Sequence, residues 1–292
     1  MKKIAIVLVT VVLLAGCVQP ASQKTRDSRM SCAVALVYQG EAIHNFLDSP
    51  GVSFVQTYVR FDDDLPEDVI FGLDQEFLDG IARPFHTKGG DWMSFVGVQR
   101  NGTVWVARGS NESLKNQPSK ERTWEIFDLG QPLQPNTWYR LRVEADFGTR
   151  HFRKFLVEGP GFTKSLDLSE LTLDYPNFIP FSDRAMSFYV CAMRGRSLMN
   201  PLGQFQGKPI VYFDDVSGGA INADGSETLT FENGFEGLYE VGSQPVTLPV
   251  IDLKQYEQGH WYLERDEALF RIQKTSTARS GQAVGIADAS ID

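Results

Sequence analysis

Carboxylates gathered at the ends of two apolar runs are the residues best suited to chemistry. Residues 211–237 read VYFDDVSGGAINADGSETLTFENGFEG. A strand interior disfavours Asp, so Asp214 and Asp215 at the end of VYF need a reason. One reading is that they close the strand and face water. The other is a cation. Asp214, Asp215 and Glu232, with backbone carbonyls near Asn233 and Gly234, supply the hard oxygens that calcium takes, and this predicts a structural Ca2+ site. The acidic turn Asp62-Asp63-Asp64 reads as a solvated loop. The four histidines, His44, His86, His151 and His260, stand apart from one another. Neither a Gly-x-Ser-x-Gly elbow, a phosphate loop nor zinc-ligand spacing occurs, so no catalytic residue is assigned. What remains is binding. Exposed aromatic faces flanked by planar hydrogen-bonding groups are the side chains suited to it. Trp92, Trp105, Trp124 and Trp261 are candidates, as are Arg108, Arg194 and Arg196. Trp92 follows Lys88-Gly89-Gly90-Asp91, which reads as a loop. Trp92, Arg108 and Arg194 are therefore the predicted ligand-binding set, with core packing the alternative for each Trp.

These residues must be carried by strands. Residues 211–216 and 228–232 alternate with period two and flank a polar, Gly-rich spacer, which predicts neighbouring antiparallel strands. Residues 139–147 (YRLRVEADF) place Tyr139, Leu141, Val143, Ala145 and Phe147 on one face, and Arg140, Arg142, Glu144 and Asp146 on the other. That is the pattern of a half-buried strand. Residues 93–108 read as a hairpin turning at Asn101-Gly102. Further strands are expected at 33–39, 52–61, 124–128, 151–158 and 187–193; residues 69–77 fit a strand or a short helix. With about nine strands and no long amphipathic helix, the class is all-β. Phe (20) and Gly (26) are abundant, as aromatic inward positions and frequent turns require. The net charge is −9, and no basic stripe appears, which argues against nucleic acid.

The first residues address the chain rather than fold it. Lys2 and Lys3 precede an apolar run too short to be a comfortable membrane span. The run ends in Leu14-Ala15-Gly16-Cys17, which resembles the bacterial lipobox. The resemblance implies cleavage after residue 16, acylation of Cys17 and attachment to a lipid bilayer. Val18 after the Cys points to the outer membrane. Residues 17–30 read as a tether and 31–292 as the folded domain. In an oxidising compartment the two other cysteines, Cys32 and Cys191, are expected to form a disulfide, the alternative being two buried thiols.

Short motifs carry a wider likeness. Y-F-D-D-V at 212–216, F-E-N-G-F at 231–235, N-T-W-Y-R-L-R-V at 136–143 and A-R-S-G-Q-A-V-G-I at 278–286 resemble strands of concanavalin A-like and laminin-G-like jelly-rolls, carbohydrate-binding modules among them. The resemblance implies a two-sheet antiparallel jelly-roll sandwich and a polysaccharide or glycan partner. The opening and closing motifs come in reversed order. Either the domain is circularly permuted, residues 228–292 supplying its first strands, or a second copy begins and is cut short. Permutation is the reading taken, because a two- or three-strand fragment cannot bury its own apolar residues. Glucanases of this fold carry E-x-D-x-x-E; the nearest string, from Glu264 to Leu269, lacks the last Glu. The expected function is non-catalytic carbohydrate binding by a lipid-anchored protein. A glycosidase or polysaccharide lyase, and a structural envelope lipoprotein without a sugar site, are the alternatives.

Overall fold

The computed structural model describes residues 30–37, 50–79, 89–114, 123–179, 185–194, 207–236, 246–247, 261–263 and 269–289. The lipobox with Cys17, the tether up to residue 29, His44, His86, His260, Arg196 and the 264–268 segment lie outside them, as do the side chains of Cys32 and Trp261.

Two sheets carry the strands. The first, ten-stranded, contains β1 (Met30–Val37), β3 (Val69–Asp79), β4 (Gly89–Met93), β5 (Val96–Val98), β6 (Thr103–Arg108), β7 (Thr123–Asp128), β11 (Asp174–Ile179), β12 (Ala185–Arg194), β15 (Val246–Thr247) and β16 (Trp261–Leu263). Its main path runs β15-β16-β1-β12-β3-β5-β6-β7, with β4 joining β3 to β11. The second, eight-stranded, contains β2 (Val52–Phe61), β8 (Tyr139–Asp146), β9 (His151–Gly159), β10 (Phe162–Asp167), β13 (Ile210–Ile221), β14 (Glu227–Asn233), β17 (Leu269–Lys274) and β18 (Ala283–Asp288). Its path is β10-β9-β8-β2-β13-β18-β17, with β14 also on β13. The pairs are antiparallel apart from β15–β16. The fold is an all-β two-sheet sandwich of jelly-roll type.

Alternation explains the layers. Phe71, Leu73 and Phe77 of β3 and Phe188 and Val190 of β12 face Val55, Val59, Leu141, Val143, Val211 and Phe213 of the second sheet, in one core where all are fully buried. Burying each such side chain is worth roughly 1.5–3 kcal/mol, which is why register is firmly held. Residues 69–77, ambiguous in sequence, are a central strand paired along its length with β12.

The 93–108 hairpin is subtler than its turn suggested. Gly102 has φ +93° and Thr103 N–H is capped by Asn101 Oδ1 at 2.9 Å, as an Asn-Gly turn requires. The leading strand, however, is interrupted at Ser94 and Phe95, where the chain leaves β4 and begins β5.

The C-terminal residues belong to both sheets. β16 pairs with β1, and β18 pairs with the first half of β13. β14 takes the second half: Val216 opposes Asn233 and Ser217 opposes Glu232. The expected pairing of 211–216 with 228–232 is thus shifted along β13, and β18 fills the place beside Val211–Phe213. A register break in the β13–β2 pairing between Asp214 and Ser217 divides the halves. Asp215 sits there with φ +46°, a left-handed conformation that Asp tolerates better than most residues.

Candidate functional site

The acidic pair at this break holds a loop. Asp214 is fully buried. Its Oδ2 accepts the backbone N–H groups of Arg279 (2.9 Å) and Ser280 (3.1 Å), and its Oδ1 accepts that of Asp215 (2.8 Å). Burial, helped by the neighbouring charge of Asp215, pushes its carboxyl up to about 6 against the pull of those N–H donors. Asp215 receives the Ser280 hydroxyl at 2.5 Å and ion-pairs with the Arg279 guanidinium, which lies 3.4 Å from the centre of the Tyr58 ring. Glu236 Oε1 takes the N–H groups of Gln282 (2.5 Å) and Ala283 (2.6 Å). Gly281 is required between them: its φ is +58°, and a Cβ would lie 2.2 Å from Glu236 Oε1.

This corrects the predicted calcium set. Glu232 is exposed and opposite Ser217; the third carboxylate of the cluster is Glu236. Asp214, Asp215 and Glu236 Oε1 already receive N–H, hydroxyl and guanidinium donors, with which a cation would compete. Among the described residues no group of three or more His, Cys, Asp or Glu is disposed to hold a metal ion. The motifs Y-F-D-D-V, F-E-N-G-F-E and A-R-S-G-Q-A do meet, as a clamp.

The more reactive constellation lies on the outer face of the ten-stranded sheet. Along β3, Phe71, Leu73 and Phe77 point into the core, which leaves Ile70, Asp74 and Glu76 on the opposite side. Tyr189 of β12 opposes Asp74, and its hydroxyl donates to Glu76 Oε2 at 2.5 Å. Asp74 Oδ1 accepts Ser94 N–H at 2.9 Å. Asp91 of β4 opposes Leu78, two residues beyond Glu76. Only a sliver of each reaches solvent: Asp74 1%, Tyr189 6%, Glu76 8% and Asp91 8%. Two carboxyls two residues apart on a strand are spaced about 7 Å along it.

Toward β7 the same face turns aromatic. Trp124 meets Trp105 and Phe95 edge-on, with centroids 6.0 and 5.9 Å away, and Trp105 donates its Nε1–H to Gln99 Oε1 at 2.8 Å. Trp124 is part-exposed on an edge strand, beside Ile126, which is 55% exposed.

The predicted ligand-binding residues are not brought together. Trp92 is a correction: it lies in β4 rather than a loop, is 2% exposed, and is covered by Tyr175 (stacked, 4.5 Å) and by Arg150, whose guanidinium carbon is 4.4 Å from its ring. Neither ring face is offered to a sugar. Arg194 is also corrected: it is buried and ion-paired with Asp68 at 2.6 Å. Arg108 remains part-exposed, bound to Glu125 at 3.0 Å. His151 is the first residue of β9, with Nδ1 2.8 Å from the Thr149 carbonyl oxygen. Sequence alone does not single out Asp74 and Glu76, because residues 69–77 fit a strand or a short helix, nor Tyr189, whose partner lies on a distant strand. Read as a strand, L-D-Q-E puts both carboxyls on one face.

No family model matches the chain, and no curated protein matches it. Among solved structures, the chain is similar to scytalido-glutamic peptidase in complex with a peptide-based transition-state analogue, with 10% identity, covering 90% of this chain and 99% of that one at a TM-score of 0.35. It is also similar to an alginate lyase from Aplysia kurodai (12% identity, 50% and 70% covered, TM-score 0.26) and to a carbohydrate-binding module from Bacillus subtilis (11%, 49% and 71%, 0.19). At these TM-scores the similarities decide nothing about the site, and function rests on this chain's own residues.

Proposed function

We propose that this chain binds a carbohydrate non-catalytically, on the outer face of its ten-stranded sheet. The observation that carries the reading is the part-exposed Trp124 at the edge of this face, packed edge-on against Trp105 and Phe95 and next to Ile126, which is 55% exposed. Aromatic faces stack on sugar C–H groups. Anchoring to the outer membrane through Cys17 belongs to the same reading and is supported by the lipobox-like L-A-G-C. A Cys32–Cys191 disulfide is supported by register, since the two residues are direct partners between β1 and β12, and by the bonded state of the Cys191 sulfur.

A screen of the purified chain on immobilised glycans tests the reading. Binding of at least one polysaccharide, lost in Trp124→Ala, is expected; a protein silent on all glycans overturns it. Cys17→Ser tests the anchor: the variant is expected to leave the membrane fraction, and its retention there, acylated, rejects the anchor.

A second reading has its own observation. Asp74 and Glu76 are a carboxyl pair on one face of β3, with the Tyr189 hydroxyl on one of them; paired carboxyls are the groups glycoside hydrolysis uses. Release of new reducing ends by the wild type and not by Glu76→Gln would establish that reading in place of the first.

A further inference from the structure

We infer that the outer face of the eight-stranded sheet carries a second, separate binding groove for a small hydroxyl-rich ligand bearing one anionic group, of the kind a uronic acid residue presents. The groove has a volume of about 360 Å³ and is lined by Glu144, Arg153, Lys154, Ser165, Asp167 and Ser169. That size falls at the lower end of small-molecule sites.

A β-bulge builds it. In the β8–β9 pairing Glu144 opposes Lys154 but Ala145 opposes Phe152, so Arg153 is the extra residue. Regular alternation would send one of two consecutive cations inward. Here Phe152 and Phe155 are buried while Arg153 and Lys154 are both exposed. Bulges re-aim side chains in this way and recur beside functional sites. The Arg153 carbonyl accepts Leu168 N–H at 3.0 Å, which ties the bulge to the end of β10.

The charges then divide the labour. Glu144, 4% exposed, lies in the floor and is neutralised by Arg142 Nε at 2.9 Å and Lys154 Nζ at 3.1 Å. Among the described residues the Arg153 guanidinium has no hydrogen bond or ion pair. It is the cation left for a ligand carboxylate, for which its planar fork is suited. Asp167 opposes Lys154 on the neighbouring strand and lines the groove, its carboxyl held below its ordinary range by the backbone N–H and hydroxyl of Ser169. It stays ionised and accepts ligand hydroxyls, and Ser165 offers a further hydroxyl. A free anion would use only Arg153, and a neutral sugar would leave it unused. A hydroxylated monoanion uses both Arg153 and Asp167.

Backbone amide NMR of the purified chain, titrated separately with D-glucuronate, D-glucose and acetate, tests this. Glucuronate is expected to give saturable shifts at residues 153–154 and 165–169. Glucose and acetate should each bind at least tenfold more weakly, and Arg153→Gln should lose at least tenfold in glucuronate affinity with its melting temperature unchanged. The inference is overturned by absent or unsaturable shifts at these residues, by equal affinity for acetate or glucose, or by a folded Arg153→Gln with wild-type affinity. Because the amides of residues 74–76 and 189 report on the other sheet, the outcome is read independently of the proposed polysaccharide site.

Discussion

The outward-facing residues of the two sheets share an alternating pattern and have opposite fates. On the ten-stranded sheet the outward polar groups are nearly sealed: Asp74, Glu76 and Tyr189 are 1–8% exposed and are held by hydrogen bonds. On the eight-stranded sheet the outward groups form a ladder of charges in which Lys154, bonded to the buried Glu144, and the pair Arg140–Glu158 reach water. The same period-two spacing therefore builds a desolvated constellation on one side and a solvated one on the other. Burial decides what each polar group is worth, because a partner lost in a dry site is not replaced by water.

The sharpest way to break this contrast is to remove one member of an ion pair on each sheet. Arg194→Ala leaves Asp68, which is fully buried, without its guanidinium, and is expected to cost about 3–5 kcal/mol. Arg140→Ala on the open ladder should cost no more than about 1 kcal/mol. Urea unfolding measures both, and equal losses would reject the contrast. Next in size is Tyr189→Phe, which deprives the buried Glu76 of a hydroxyl donor at almost constant volume; a loss of about 1–3 kcal/mol is expected, and a neutral result would show that water reaches the site.

A pH experiment sharpens the comparison at the clamp, where a carboxyl of the eight-stranded sheet is fully buried. Asp214 is pushed up to about 6, above its ordinary 3.8. Its protonated form is therefore the one favoured by folding. The stability it contributes is complete below about 3.8 and is lost as pH rises through about 6. Between pH 5 and 7 the wild-type melting temperature should fall relative to that of Asp214→Asn. Parallel profiles would show that its N–H donors outweigh burial. The smallest effects come last. Lys154→Ala should change stability by under about 1 kcal/mol, and a chelator should leave the melt unmoved, since Arg279 and the N–H donors already serve the carboxylates; a chelator-induced drop would restore the calcium site.

The sandwich was legible because aromatic and β-branched residues recur with period two wherever a strand has one face in the core, as in Y-R-L-R-V-E-A-D. The clamp motifs were legible as strings, but their chemistry was not. Nothing local to F-E-N-G-F-E says that Glu236, rather than Glu232, meets Asp214, because the bulge at Asp215 decides which carboxyl points where. Trp92 was misplaced because Lys-Gly-Gly-Asp reads as a loop, whereas β4 is completed by β3 on one side and β11 on the other. Long-range pairing of this kind leaves no trace in a short window.

The pairing of β16 with β1 has a consequence for synthesis. Ala33 lies against Leu263, so an early strand is completed by one made much later. β13 likewise has to wait for β18 along half its length. Such distant contacts must bear loop-closure entropy before they return any energy, which slows folding. A nascent chain that has not yet emitted β18 has a gap beside Val211–Phe213 and a raw backbone edge there, open to mispairing with neighbouring chains. The molecule therefore depends on being kept apart from its copies until β18 arrives.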